Sequence, residues 1–281
     1  MTLVTDGRFI VPNAAGALGA GQLMNLVRQI WRSSVGRKYV MALTGLLLFL
    51  FLVGHLVGNL QVFGSPELIN GYAYFLKSKA GLLWGVRLGL LAVVGLHIAS
   101  AVSLSAQNRA ARPVQYAGVR VPYAASLASR TMLVSGLVIL AFVVYHLLQF
   151  TALVPAVNGG VDFRRLEAEL PGGIRTHDVY AMMIRGFQIW WVSLFYLIAQ
   201  ALLFLHLSHG LSSLFQSLGL RNSVWWPRVT LFAKVASVAL FLGYASIPVS
   251  VMAGLGKSYT EKARLAAGAS AAAAVGKEVV R

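Results

Sequence analysis

Residues 39–60 read Tyr-Val-Met-Ala-Leu-Thr-Gly-Leu-Leu-Leu-Phe-Leu-Phe-Leu-Val-Gly-His-Leu-Val-Gly-Asn-Leu, with no Asp, Glu, Lys or Arg. A helix rises about 1.5 Å per residue, so a run of ~20 apolar residues is what crosses the hydrocarbon of a bilayer. A strand reading fails because lipid offers no partner for the edge of an open sheet. The run is therefore a membrane-spanning helix, with a histidine, His55, deep inside it.

Four further runs repeat the pattern, at roughly 82–104, 131–154, 187–212 and 229–254. The chain is 58% hydrophobic and only 11% charged, against about 25% charged in soluble domains. The expected fold is an all-α integral membrane protein of five transmembrane helices. Upstream, residues 22–38 contain an amphipathic stretch, with Leu23, Val27, Ile30 and Trp31 set against Arg28 and Arg32, suited to the interface. Residues 1–21 read as a flexible arm with no basic-then-apolar leader. The transmembrane domain is expected over 39–256. The Ala-rich tail, 257–281, fits a short surface helix or disorder equally.

The formal charge is +16, but the basic residues lie at the ends of apolar runs and not on one polar face. That argues for interface anchors and partners of anionic groups, not for nucleic acid. Arg28, Arg32, Arg37 and Lys38 precede the first span, and Arg109, Arg112, Arg120 and Arg130 lie between the second and third. The excess favours a cytoplasmic N-terminus. With no cysteine, the chain itself holds neither a disulfide nor an iron–sulfur cluster.

His55, His97, His146 and His206 fall one per span on the first four spans. Ionisable groups inside membranes are rare and are commonly functional. His55 and His146 lie about 24 and 22 Å along spans that run the same way, so both belong to the outer half. His97 and His206 come late in spans that run back, and belong to the inner half. Two level pairs of imidazoles suit axial ligation of two irons, each with both axial positions filled. Gly45 and Gly136 stand ten residues before His55 and His146, at the depth of the other pair. They suit a porphyrin's close approach, or plain helix packing. His209, three residues after His206, shares its helix face and is the rival ligand or a propionate partner. Arg87 and Arg130 fit propionate clamps or snorkelling anchors. His177 falls in an outer loop and reads as solvated.

Taken in order, Ser33-Ser34-Val35-Gly36-Arg37-Lys38, Leu43-Thr44-Gly45, His55-Leu56-Val57-Gly58-Asn59-Leu60, Ser129-Arg130-Thr131, Tyr145-His146-Leu147-Leu148 and His206-Leu207-Ser208-His209-Gly210 followed by Phe215-Gln216-Ser217-Leu218-Gly219 resemble the single-chain dihaem cytochrome b anchor of succinate:quinone oxidoreductases and fumarate reductases, over roughly residues 30–255. The resemblance implies two haem b groups, held by His55 with His146 and by His97 with His206 in a bundle of the first four helices. It implies flavoprotein and iron–sulfur partner subunits on the cytoplasmic side of a bacterial inner membrane. It also implies a quinone substrate, menaquinone or ubiquinone, with Ser34 and Arg37 matching the family's inner quinone pocket. The spacing from His206 to Gly219 matches the family's fourth ligand and favours His206 over His209. Where some members carry a Glu two residues before that ligand, this chain has Phe204, so a carboxylate proton route is not expected. A haem-free structural anchor and a histidine-relay transporter are the competing classes; the transporter lacks acidic partners within the spans and a clear repeat.

Overall fold

The computed structural model describes residues 20–111, 127–262 and 265. Of the arm expected over 1–21, residues 1–19 lie outside the described residues and Ala20 and Gly21 already belong to the first helix, so the arm is shorter than expected; most of the tail also lies outside them. Helix α1 (Ala20–Arg32) leads at Ser33 into α2 (Ser34–Asn59), which a 3-10 turn extends to Phe63. Short α3 (Pro66–Ser78) is followed by α4 (Ala80–Ala110), α5 (Leu127–Arg130) and α6 (Met132–Phe150). A hairpin of β1 (Glu167–Leu170) and β2 (Ile174–His177) precedes α7 (Val179–Gln188), α8 (Trp190–Ser217) and α9 (Trp226–Met252). Among the described residues, five helices, α2, α4, α6, α8 and α9, are long and apolar enough to cross a membrane. This is the architecture of a multi-pass, all-α membrane protein.

The boundaries follow local chemistry. Ser33 caps α2, its hydroxyl accepting from the Gly36 amide at 2.9 Å. Residues 34–38 thus belong to the spanning helix and not to the interfacial one. The third span stops at Phe150 and not at 154. Leu153 takes a positive φ of 55°, and Val154 is held extended before Pro155. The fourth starts at Trp190 because Ile189 is extended, so residues 187–188 close α7 instead. Gly219, at φ 77°, terminates α8, where the Leu220 amide bonds the Phe215 carbonyl at 2.9 Å. This is the glycine-terminated helix end that a Cβ would strain.

Helix α2 packs on α4 and α8, α6 packs on α8, and α8 packs along α9. The densest core lies at one end of the bundle, where Ile184, Phe187, Val192, Tyr196, Ile247 and Val251 bury one another. Helix α7 carries much of that core, with Tyr180 through Ile184, Gly186 and Phe187 all buried. The spanning helices themselves present long rows of exposed Leu, Val and Phe, as lipid-facing surfaces do.

Candidate functional site

The histidines sort into two layers. In the first, the rings of His55 (α2) and His146 (α6) stand 5.8 Å apart between centroids with planes at 88°. His55 stacks on Phe51, one turn before it, at 5.3 Å and 17°. His146 is flanked on its own helix by Phe142 and Phe150. The Tyr196 hydroxyl on α8 lies 3.1 Å from His146 Nδ1 and donates to Gln149 Oε1 at 2.7 Å. The rings of Phe142 and Phe187 both meet Tyr196 edge-on at 4.9 Å, so α7 packs directly behind this layer.

The second layer holds His97 (α4) and His206 (α8), which lie within electrostatic range of each other. Thr44 Oγ1 on α2 is 3.1 Å from His97 Nδ1, and Ser135 Oγ on α6 is 3.2 Å from His206 Nδ1. Gly45 and Gly136 sit directly against these imidazoles. A Cβ on Gly45 would stand 3.3 Å from His97 Cε1, and one on Gly136 3.5 Å from His206 Cε1. The two glycines therefore belong to the second layer's wall, at the depth expected from their ten-residue spacing. A larger side chain there would press on the ring edge between its two nitrogens.

The donor set limits what these layers can hold. Among the described residues, no three His, Cys, Asp or Glu side chains converge, so a cage made by protein ligands alone is not built here. A pair of imidazoles suits a metal whose other four ligands come from a macrocycle.

The remaining expected residues are spread along the bundle. Arg87 lies early in α4, its guanidinium 5.2 Å from the Trp84 ring centre and close enough to Lys77 to depress that amine's pKa, after burial as the main cause. Arg130 is exposed at the end of α5, and His209 is half-buried one turn past His206. Arg37 is buried and donates to Ser103 on α4 and to the Ser33 carbonyl, whereas Ser34 is exposed. Among the described residues, the ion pairs are those of Arg164 and Arg165 with Asp162, so these cations have no carboxylate partner there. His177 departs from expectation. It is half-buried, with Nε2 3.4 Å from Met182 Sδ on α7, where the hairpin packs on α3. Burial, with Lys77 nearby, holds its pKa below the ordinary value.

Sequence reasoning missed Thr44, Ser135, Tyr196 and Gln149. A signal existed for two of them, because Thr44-Gly45 stands before His55 and Ser135-Gly136 before His146 at the same spacing. No family model matches the chain, and neither a curated protein nor a solved structure matches it.

Proposed function

We propose that this chain is the membrane-anchor cytochrome b subunit of a succinate:quinone oxidoreductase, linking an iron–sulfur partner subunit to quinone through two bis-histidine haem b groups. The observation that carries the proposal is the division of four intramembrane histidines into two layers, each drawing its pair from two different helices. His55 with His146 would hold one haem, and His97 with His206 the other. Haem b in such a site supplies reversible one-electron transfer at an iron with no open position.

The chain's own residues do the rest. Gly45 and Gly136 leave the ring edges of His97 and His206 uncrowded. Arg87 at one end of the bundle, and Arg130 with His209 at the other, are cationic or donor groups suited to carboxylates. Ser34 and Arg37 are the proposed quinone donors, at the end where electrons arrive if the N-terminus is cytoplasmic. A hydroxyl and a guanidinium both donate to a quinone carbonyl, and the cation favours the reduced anion. Succinate chemistry belongs to a flavoprotein partner, since this chain has no cysteine and no Gly-x-Gly-x-x-Gly fingerprint. Running in reverse, the same arrangement serves fumarate reduction.

One set of contacts favours a second reading, a haem-free anchor. His97, His146 and His206 each bond a side chain on another helix, which cross-links a bundle without any cofactor. The visible spectrum of the purified, dithionite-reduced protein separates the two. Sharp haem b bands support the cytochrome, and a featureless spectrum from protein expressed with ample haem supports the bare anchor.

A further inference from the structure

We infer that Thr44, Ser135 and Tyr196 are positioning residues that hold three of the four histidines as Nδ1–H tautomers, with Nε2 left as the ligating nitrogen. The inference rests on the haem reading above. A neutral imidazole carries one N–H, and whichever nitrogen lacks it offers a lone pair. The other acceptors within reach of the three hydroxyls point to which nitrogen this is.

Each hydroxyl has one proton and spends it elsewhere. Thr44 Oγ1 lies 2.7 Å from the Val40 carbonyl and 3.1 Å from that of Met41, so toward His97 Nδ1 it accepts. Ser135 Oγ stands 3.2 Å from both the Met132 carbonyl and His206 Nδ1; the carbonyl can only accept, so with the proton given to it Ser135 accepts from Nδ1. Tyr196 donates to Gln149 Oε1 at 2.7 Å, so toward His146 Nδ1 it accepts. In all three cases Nδ1 carries the proton and Nε2 the lone pair. His55 differs, being oriented by its stack on Phe51 with no hydroxyl at its ring nitrogens among the described residues.

The arrangement also assigns partners across helices. Thr44 on α2 and Ser135 on α6 serve the same layer, although each lies on the helix that supplies a histidine to the other layer. Tyr196 on α8 serves the first layer, although α8 carries His206. An acceptor on Nδ1–H makes the imidazole a stronger donor to the metal and fixes the plane of the ring. Removing it raises the reduction potential of the iron that the imidazole holds and weakens retention of the group about 10–100-fold.

The test is a potentiometric titration of the two haems in the full chain, with haem counted by pyridine haemochrome. Thr44→Val and Ser135→Ala should both raise the midpoint of one and the same haem and leave the other in place. Tyr196→Phe should raise the other. Thr44→Ser and Ser135→Thr, which keep the hydroxyl, should return wild-type midpoints. If Thr44→Val sheds a haem outright, its recovery in Thr44→Ser supports the positioning role, and failure to recover overturns it. Unmoved midpoints with both haems present overturn it, as does movement of different haems by Thr44→Val and Ser135→Ala. A wild-type chain without haem overturns the haem reading itself, a result distinct from all of these.

Discussion

Asp178 is the hinge pin of the end of the bundle that closes over the first histidine layer. It is 3% exposed and accepts three bonds: from the Ala181 amide at 2.9 Å, from Asn70 Nδ2 at 3.1 Å, and from the Tyr259 hydroxyl at 2.9 Å. These tie α7, α3 and the helical segment 257–262 after α9 to one carboxylate. Burial and the bond to Asp178 push the Tyr259 phenol above its ordinary pKa, so it stays a donor. Asp178→Ala removes a helix cap worth about 0.5–2 kcal/mol. It also strands the buried Asn70 amide and the part-exposed Tyr259 hydroxyl, at about 1–3 kcal/mol each. Together these come to about 2.5–8 kcal/mol, and water reaching Tyr259 lowers the expected loss for local opening of α7 to about 2–6 kcal/mol. Asp178→Asn keeps Oδ1 for the cap and Asn70 and loses only about 1 kcal/mol. Amide hydrogen exchange over residues 179–188 in detergent reads the difference. Asp178→Ala should exchange at least about thirtyfold faster, and Asp178→Asn no more than about tenfold. Equal exchange in the two variants, or a change under about tenfold in Asp178→Ala, would refute the reasoning.

His206→Ala should lose the haem of the second layer while His209→Ala keeps both, read by pyridine haemochrome; loss only in the His209 variant reverses the assignment. Arg37→Leu should lower quinone reduction several-fold with haem content intact, and Ser103→Ala, which removes only the tie to α4, should lower it less. Full activity in Arg37→Leu alongside loss on changing Asn59 or Glu67 would move the quinone site to the opposite end. The depressed pKa of His177 means that the unfolded chain takes up a proton near 6.5 before the folded hairpin does. Its contribution is complete above that pH and is lost as pH falls through it. Protection of the β1–β2 amides, that is their exchange relative to the unstructured-peptide rate at each pH, should therefore fall on acidification below 6.5, and His177→Gln should flatten that response.

The spans were legible because lipid forces each crossing into one uninterrupted apolar helix, a constraint written residue by residue at 39–60. The level pairing of the histidines was legible for the same reason: a straight helix converts residue number into depth. The segment between the third and fourth spans was not. Its apolar residues Met183, Ile184 and Phe187 bury against α8 and α9 in place of lipid, and composition alone does not separate the two surroundings. The hairpin was not legible either, because strands of four residues, 167–170 and 174–177, are too short to alternate visibly. Thr44 and Ser135 were hidden by their ordinariness. Hydroxyls in membrane helices commonly bond back to their own backbone, and these do so while also meeting a histidine from another helix. Tyr196 has no sequence relation to His146 at all; the break at Ile189 sets the phase of α8 that brings them together.

The most direct test of the central claim is the number of haem b groups per chain. Pyridine haemochrome assay against quantitative amino-acid analysis should give two for the purified wild type, one for His146→Ala, one for His97→Ala, and none for the double variant. A wild-type value of zero, or a value of one that only one of the two histidine variants abolishes, would contradict the two-layer account.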